Sequence, residues 1–241
     1  MTVPQEAVER VLVVAAHPDD AEFWLGGTVA AWTNAGIAVT YAVLTDGESG
    51  GFDPAVPRAD IPRLRRAEQE AAAAVLDVAD VQFFGLAEGS LVQPNRELHV
   101  SLVRLIRQVR PERTVTWSPE WNWERFRSCH PDHLATGTAT LRAIYPDAGN
   151  RFAFPSLVED EGLEPWTVQD AWLLNSPHVN HYVDVTDTFE RKVMAVRAHE
   201  SQVGNRSRLA DELRERLTPN TAPAGLPSGR LAEAFQVVLT G

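Results

Sequence analysis

Two short runs in this chain have the composition of a metal-dependent hydrolytic site. His17-Pro18-Asp19-Asp20 offers one imidazole and two carboxylates, and His130-Pro131-Asp132-His133 offers two imidazoles and one carboxylate. A hydrolytic zinc site needs about three protein ligands and one open position for water. His17 and Asp20, separated by one turn of chain, can point at one ion, and His133, on the first turn of a helix, can supply the third bond. Two imidazoles and a carboxylate suit Zn2+, although iron, cobalt or manganese would accept the same set. An ion bound there would bring the pKa of its water towards ~7. Asp19 is the carboxylate left beside the ligands and the natural general base. His130, one turn before His133, is the natural partner on the opposite side. As an imidazolium it would stabilise an oxyanion, with Asp132 orienting or charging it.

The elements that must bring the two runs together are legible as alternating strands and helices. Val11 to Ala16 is an unbroken apolar run, which predicts a strand buried on both faces. Pro18 ends it, and Asp19, Asp20 and Glu22 suit the first turn of a helix that runs to about Trp32. Ile37 to Leu44 is a second strand, followed by the glycine-rich Thr45 to Gly51 and a long irregular loop to Pro62. Leu64, Ala67, Ala71 and Val75 predict a helix facing inward along that row, with Arg65 to Glu70 supplying the solvated face. Val81 to Phe84 is a third strand. Leu98, Leu102, Leu105, Ile106 and Val109 form an amphipathic helix stopped by Pro111, and Arg113 to Trp117 is a fourth strand. The loop from Ser118 to Cys129 leads to His130, and a helix follows from Leu134 to Ile144. Thr167 to Leu174 and Tyr182 to Val185 are further strands, Asp187 to Gln202 is one long helix, and Ala232 to Phe235 is a short closing element.

This alternation predicts an α/β fold with a doubly wound, mostly parallel sheet, helices on both faces and right-handed crossovers. The chain reads as a single domain over 1–241, with its core in 11–202 and the segment 203–241 packing on it. No glycine-rich dinucleotide fingerprint follows the first strand. With strand order 3-2-1-4-5, strands one and four are neighbours, and the topological switch point lies between their carboxyl ends. Both His/Asp runs sit there, so the fold rule predicts that they meet.

Composition narrows the ligands. The chain has 241 residues, 44% of them hydrophobic and 23% charged, enough for a sizeable core. A net charge of -11 argues against nucleic acid and against an anionic membrane surface. The single cysteine, Cys129, rules out an internal disulfide and all-cysteine metal sites. Glu6 and Glu9 ahead of a short apolar run do not make a secretory signal, no stretch is long enough to span a bilayer, and a cytoplasmic location is expected. Cys129 lacks a second His–acid pair to activate it and reads as a small buried residue. Trp121 and Trp123 either stack on a sugar or aglycone or pack their own loop. His178 and His181 line the pocket or sit in a surface turn, and Lys192 and His199 read as structural.

Ala16-His17-Pro18-Asp19-Asp20, Trp24-Leu25-Gly26-Gly27 and His130-Pro131-Asp132-His133 together resemble the LmbE/PIG-L family of zinc-dependent de-N-acetylases. Thr45-Asp46-Gly47-Glu48, Arg65 with Glu68-Gln69, and Arg191-Lys192 leading to His199-Glu200-Ser201-Gln202 agree, and Glu233-Ala234-Phe235 resembles the family's closing segment. The resemblance implies a Rossmann-like fold that hydrolyses an N-acyl group, usually acetyl, from an amino sugar or related small conjugate. It implies His17, Asp20 and His133 as metal ligands, Asp19 as base and His130 as oxyanion partner. It also implies substrate contacts from Glu48 and Arg65, and from Glu88, which replaces the family's aspartate before Gly89. The family's acid directly after His-Pro-Asp-Asp is displaced by one, to Glu22, and Ser128 stands where mycothiol-pathway members carry tyrosine. The expected partner is a small N-acylated molecule, and a homo-oligomer is compatible with the chain. The alternatives are an amidase acting on a thiol conjugate or secondary metabolite, and a metal-containing binding module. The presence of both Asp19 and His130 favours an enzyme, because a metal carrier needs neither.

Overall fold

The computed structural model describes residues 8–51, 53–92 and 95–241; Glu6 lies outside them. In chain order the elements are β1 (Arg10–Ala15), α1 (Asp20–Asn34), β2 (Ala38–Thr45), α2 (Ile61–Val75), β3 (Asp80–Leu86), α3 (Arg96–Val109), β4 (Arg113–Trp117) and α4 (Pro131–Arg142). They continue with α5 (Pro155–Glu159), β5 (Asp170–Leu174), β6 (His181–Asp184), α6 (Phe189–Arg197), α7 (Glu200–Val203), α8 (Leu209–Leu217) and β7 (Ala232–Leu239). The strands form one sheet in the order β3-β2-β1-β4-β5-β7-β6. The first five are parallel, and β7 returns antiparallel between β5 and β6.

The sheet is a mixed α/β sheet of the expected kind, and its first five strands stand in the expected order. Val11 pairs with Val39 on one side and Arg113 on the other, so β1 and β4 are neighbours and both His/Asp runs leave the same edge. Every residue of β4, and all of β1 beyond Arg10, is buried, as parallel strands covered on both faces require. A smaller cluster around Val185, Phe189, Val193, Leu209 and Leu213 packs α6 and α8 together. Among the described residues, no helix is long and apolar enough to cross a membrane.

Three expectations change. The inward row of α2 is not Leu64, Ala67, Ala71 and Val75, of which Ala67 and Ala71 are exposed. Its buried face is Ile61, Arg65, Glu68, Gln69, Ala72 and Ala73. Polar side chains turn inward there because each finds a partner, which removes the penalty of burial. Glu68 accepts from the Ser201 N–H and hydroxyl, both at 2.7 Å, and Gln69 donates to Glu22 at 2.9 Å. The long helix expected from Asp187 to Gln202 is broken at His199, whose ring reaches Glu22 at 3.2 Å instead of continuing the helix surface. The short closing element is a full strand, β7.

Helix α1 is also broken. Leu25 leaves helical geometry at φ -136°, ψ 15°, which frees carbonyls before the break and N–H groups after it. A buried ion pair fills the gap. Lys192 Nζ donates to the carbonyls of Glu22 and Phe23, both at 2.9 Å, and to Glu233 at 2.7 Å. Glu233 accepts from the N–H groups of Gly27 at 3.0 Å and Thr28 at 2.7 Å. Gly27 must be glycine, because a Cβ there would lie 2.6 Å from that of Val185.

Candidate functional site

The two runs meet at the carboxyl ends of β1 and β4. His133 Nε2 lies 3.3 Å from His17 Nδ1 and 3.2 Å from Asp20 Oδ1, and the ligand atoms of the three residues fall within 4.8 Å of one another. The surroundings aim each donor. Asp20 Oδ2 accepts from the N–H groups of Ala16 at 3.0 Å and His17 at 2.9 Å, and from the Trp117 indole at 3.2 Å, which leaves Oδ1 facing the cluster. His133 Nδ1 lies 3.0 Å from the Ser128 carbonyl, an acceptor, so that nitrogen carries the proton and Nε2 presents its lone pair. His17 Nε2 faces Asp132 Oδ2 at 3.3 Å, which likewise leaves Nδ1 for the centre. Imidazoles held from behind by an acceptor are the usual partners of a metal ion. Two nitrogen lone pairs and a carboxylate oxygen converging on one point repel each other unless a cation or a proton lies between them, so this donor set fits a divalent metal.

The electrostatics agree. Burial opposes charge on His17, but hydrogen bonds to Asp132 and Asp20 outweigh it and raise its pKa to about 10. Burial also opposes ionisation of Asp20, but His133 and His17 hold it well below the usual carboxylate range. The carboxylates that favour positive charge on His17 favour a metal cation at the same place, and such an ion would have to displace the proton to bind.

Asp19 sits beside this cluster at φ 91°, ψ -23°, a conformation that is strained for aspartate. Helix α2 pins it there. Gln69 accepts its N–H at 2.9 Å, and Arg65 donates to its carboxylate at 2.9 Å while also binding the Gly47 carbonyl at 2.8 Å and the Pro18 carbonyl. Gly47, at φ 60°, leaves room for this: a Cβ would lie 2.2 Å from the Arg65 guanidinium. Burial pushes the Asp19 carboxyl up to about 6 against the opposing pull of Arg65.

Residues 12–144 match the family model described as PIG-L: GlcNAc-PI de-N-acetylase. The chain belongs to this family. It is 32% identical over 199 residues to a diacetylchitobiose deacetylase from Thermococcus kodakarensis, covering 83% of this chain and 72% of that protein. It is 30% identical over 197 residues to a probable N-acetyl-alpha-D-glucosaminyl L-malate deacetylase 2 from Bacillus cereus, covering 80% and 83%. The solved structure of N,N'-diacetylchitobiose deacetylase from Pyrococcus horikoshii superposes with a TM-score of 0.86 at 26% identity, covering 98% of this chain and 85% of that one. The chain is thus a hydrolase of the de-N-acetylase class, and its His/Asp cluster is a group able to hold the metal on which PIG-L enzymes depend.

The remaining PIG-L residues singled out in the sequence are arranged as follows. His130 stands edge-on to His17, with ring centroids 4.8 Å apart. Its Nδ1 accepts the Asp132 N–H at 3.2 Å, so the neutral ring carries its proton on Nε2. Burial and the neighbouring His17 and His133 lower its pKa, against the pull of Asp132 and Glu88. The Asp132 carboxylate does not hydrogen-bond His130, from which it lies 3.9 Å away; it turns to His17 and to the Gly89 N–H at 2.6 Å. Arg65 faces inward rather than towards an open cleft, with its two terminal nitrogens bonded to the chain and its buried Nε without a partner among the described residues. Glu48 accepts the Glu88 N–H at 2.9 Å and Glu88 accepts the Ser49 N–H at 3.1 Å, so the two acids tie together the loops after β2 and β3. Glu88 also faces His130 Nε2 at 3.9 Å.

His178 pairs with Glu120 at 3.2 Å, His181 packs on Trp172, and Cys129 is buried against Asn122. Trp121 and Trp123 stack on each other with centroids 5.3 Å apart and remain exposed. Sequence reasoning missed Trp117, which donates to Asp20 and stacks on His133 at 3.5 Å. The available signal was an indole at the end of a buried strand, whose N–H must find a partner.

Proposed function

We propose that this enzyme removes an N-acetyl group from a small amino-sugar conjugate, using Zn2+ held by His17, Asp20 and His133. The convergence of those three donor atoms, with Asp19 next to Asp20 in the chain and His130 edge-on to His17, supports this reading. A divalent ion in that position supplies Lewis acidity, which acidifies water and polarises an amide carbonyl. Asp19 holds one carboxylate oxygen on Arg65 and keeps the other for the attacking water, whose proton it takes. His130 donates from Nε2 to the oxygen of the acyl group as negative charge develops there. Asp19 then returns the proton to the leaving nitrogen. The C–N bond breaks, and the products are a carboxylate and a free amine. Relatives that act on diacetylchitobiose and on N-acetylglucosaminyl malate make glucosaminides the substrates to try first.

The test is acetate release by the zinc-loaded protein from N-acetylglucosamine, diacetylchitobiose and N-acetylglucosaminyl glycosides, with and without chelator. Release that stops on chelation and returns with zinc is expected. No release from any of them, with bound zinc verified, would favour the binding-module alternative.

A further inference from the structure

Three buried side chains, Glu22, Gln69 and His199, lead to Asp19 without a part in the reaction itself. They form one hydrogen-bonded line. His199 Nε2 lies 3.2 Å from Glu22 Oε2, and Gln69 Nε2 donates to Glu22 Oε1 at 2.9 Å. Gln69 Oε1 then accepts the Asp19 N–H at 2.9 Å. The line joins α1, α2 and the junction between α6 and α7. Beside it, Ser201 of α7 donates twice to Glu68, the neighbour of Gln69, so α7 is fastened to the same face of α2.

The direction of these bonds is forced at the glutamine. Its side-chain amide is nearly symmetric in shape and can sit either way round, with oxygen and NH2 exchanged. Here a carboxylate, which only accepts, stands at one end, and a backbone N–H, which only donates, stands at the other. One orientation makes both bonds. The reverse sets oxygen against oxygen and N–H against N–H and makes neither. Glu22 therefore decides which end of Gln69 meets Asp19, and His199 holds the second oxygen of Glu22. The bond to Asp19 matters because that residue is strained at φ 91°, and its peptide would otherwise carry an N–H without an acceptor as well. The metal ligand next to it does not depend on this line: Asp20 is held by the N–H groups of Ala16 and His17 and by Trp117.

Building on the de-N-acetylase reading, we propose that Glu22 is a positioning residue for the base: through Gln69 it keeps the Asp19 peptide in its left-handed turn, and so keeps the carboxylate in place for the attacking water. Glu22→Gln removes the acceptor-only group at constant size. In the zinc-loaded variant, hydrogen exchange at the Asp19 amide, followed by NMR, quickens about tenfold. The kcat for acetate release falls about tenfold, while KM and zinc content stay within about twofold of wild type. Adding Gln69→Glu restores the order of donors and acceptors, because the carboxylate then stands at 69, accepts the Asp19 N–H and accepts from the amide at 22. Exchange and kcat both return towards wild type in that double variant. Unchanged exchange in Glu22→Gln overturns the proposal, as does zinc loss in step with rate, which would place the effect on the ligands. If the single variant does not fold, the double variant decides: folded and zinc-loaded, with the Asp19 amide still exchanging fast, it refutes the proposal. Exchange is read without turnover, so a protein that releases no acetate yet shows these exchange changes would refute the proposed reaction and leave the positioning of Asp19 standing.

Discussion

Asp19 shows what the site costs and what that cost provides. A non-glycine residue at φ 91° is destabilised by roughly 1–3 kcal/mol, and the contacts from Arg65 and Gln69 offset that strain. The result is a carboxylate fixed beside Asp20 with one oxygen uncommitted. Asp19→Asn should therefore keep full metal content yet lower the acetate-release rate by about 10²–10⁴-fold. Metal analysis alongside kcat checks this, and near-normal turnover would remove Asp19 as base. The residue types at the centre were legible because few roles other than a metal site call for two His/Asp runs at adjoining strand ends. The bonds around them were not. Asp132 lies two residues after His130, yet its carboxylate serves His17, because that choice depends on how α4 meets β1. Arg65 looked like a solvent-facing arginine on a charged helix. Its burial depends on three acceptors supplied by two distant loops.

At the scale of elements, the break in α1 and the wedge that fills it explain several motifs that sequence reasoning could only record. Lys192, Glu233 and Gly27 belong to one device: a cation on freed carbonyls, an anion on freed N–H groups and space for both. Glu233→Ala would leave the buried Lys192 ammonium without its counter-charge, at a cost of about 3–5 kcal/mol. Adding Lys192→Met should restore part of that loss, because the orphaned charge goes with it. Denaturant midpoints of the single and double variants test the pair, and a Glu233→Ala cost under about 1 kcal/mol, as for an exposed pair, would contradict the wedge. Strands and most helices were readable from apolar periodicity. Helix α2 was readable as a helix but its inward face was not, because that face is largely polar and the 3.6-residue pattern of apolar side chains pointed the wrong way.

Across the whole molecule, the order of the first five strands is the one a general rule of α/β topology suggests, and that rule, beside the family resemblance, brought residues 17 and 133 together. The antiparallel return of β7 had no comparable signal, since its buried face alternates too briefly to be read. The long-range closure also has a pH signature through His199, which joins the end of α6 to Glu22 in α1. Burial opposes its charge, but the hydrogen bond and the charge of Glu22 prevail, so its folded pKa lies above the ordinary 6.5. The folded state then binds the proton more tightly than the unfolded one. Its stabilisation is complete below pH 6.5 and fades as pH rises through the folded value. The stability gap between wild type and His199→Gln should narrow from neutral to mildly alkaline pH; a gap that widens would show that the proton is not held there. The placement of Glu233 has one more consequence, for the order of events during synthesis. The helix that opens at Asp20 is made early, but the brace for its break lies some 200 residues later. A nascent chain cannot close that break until translation has passed Glu233. A message cut short before that codon would yield the whole His/Asp cluster beside a helix whose interruption at Leu25 lacks its anion.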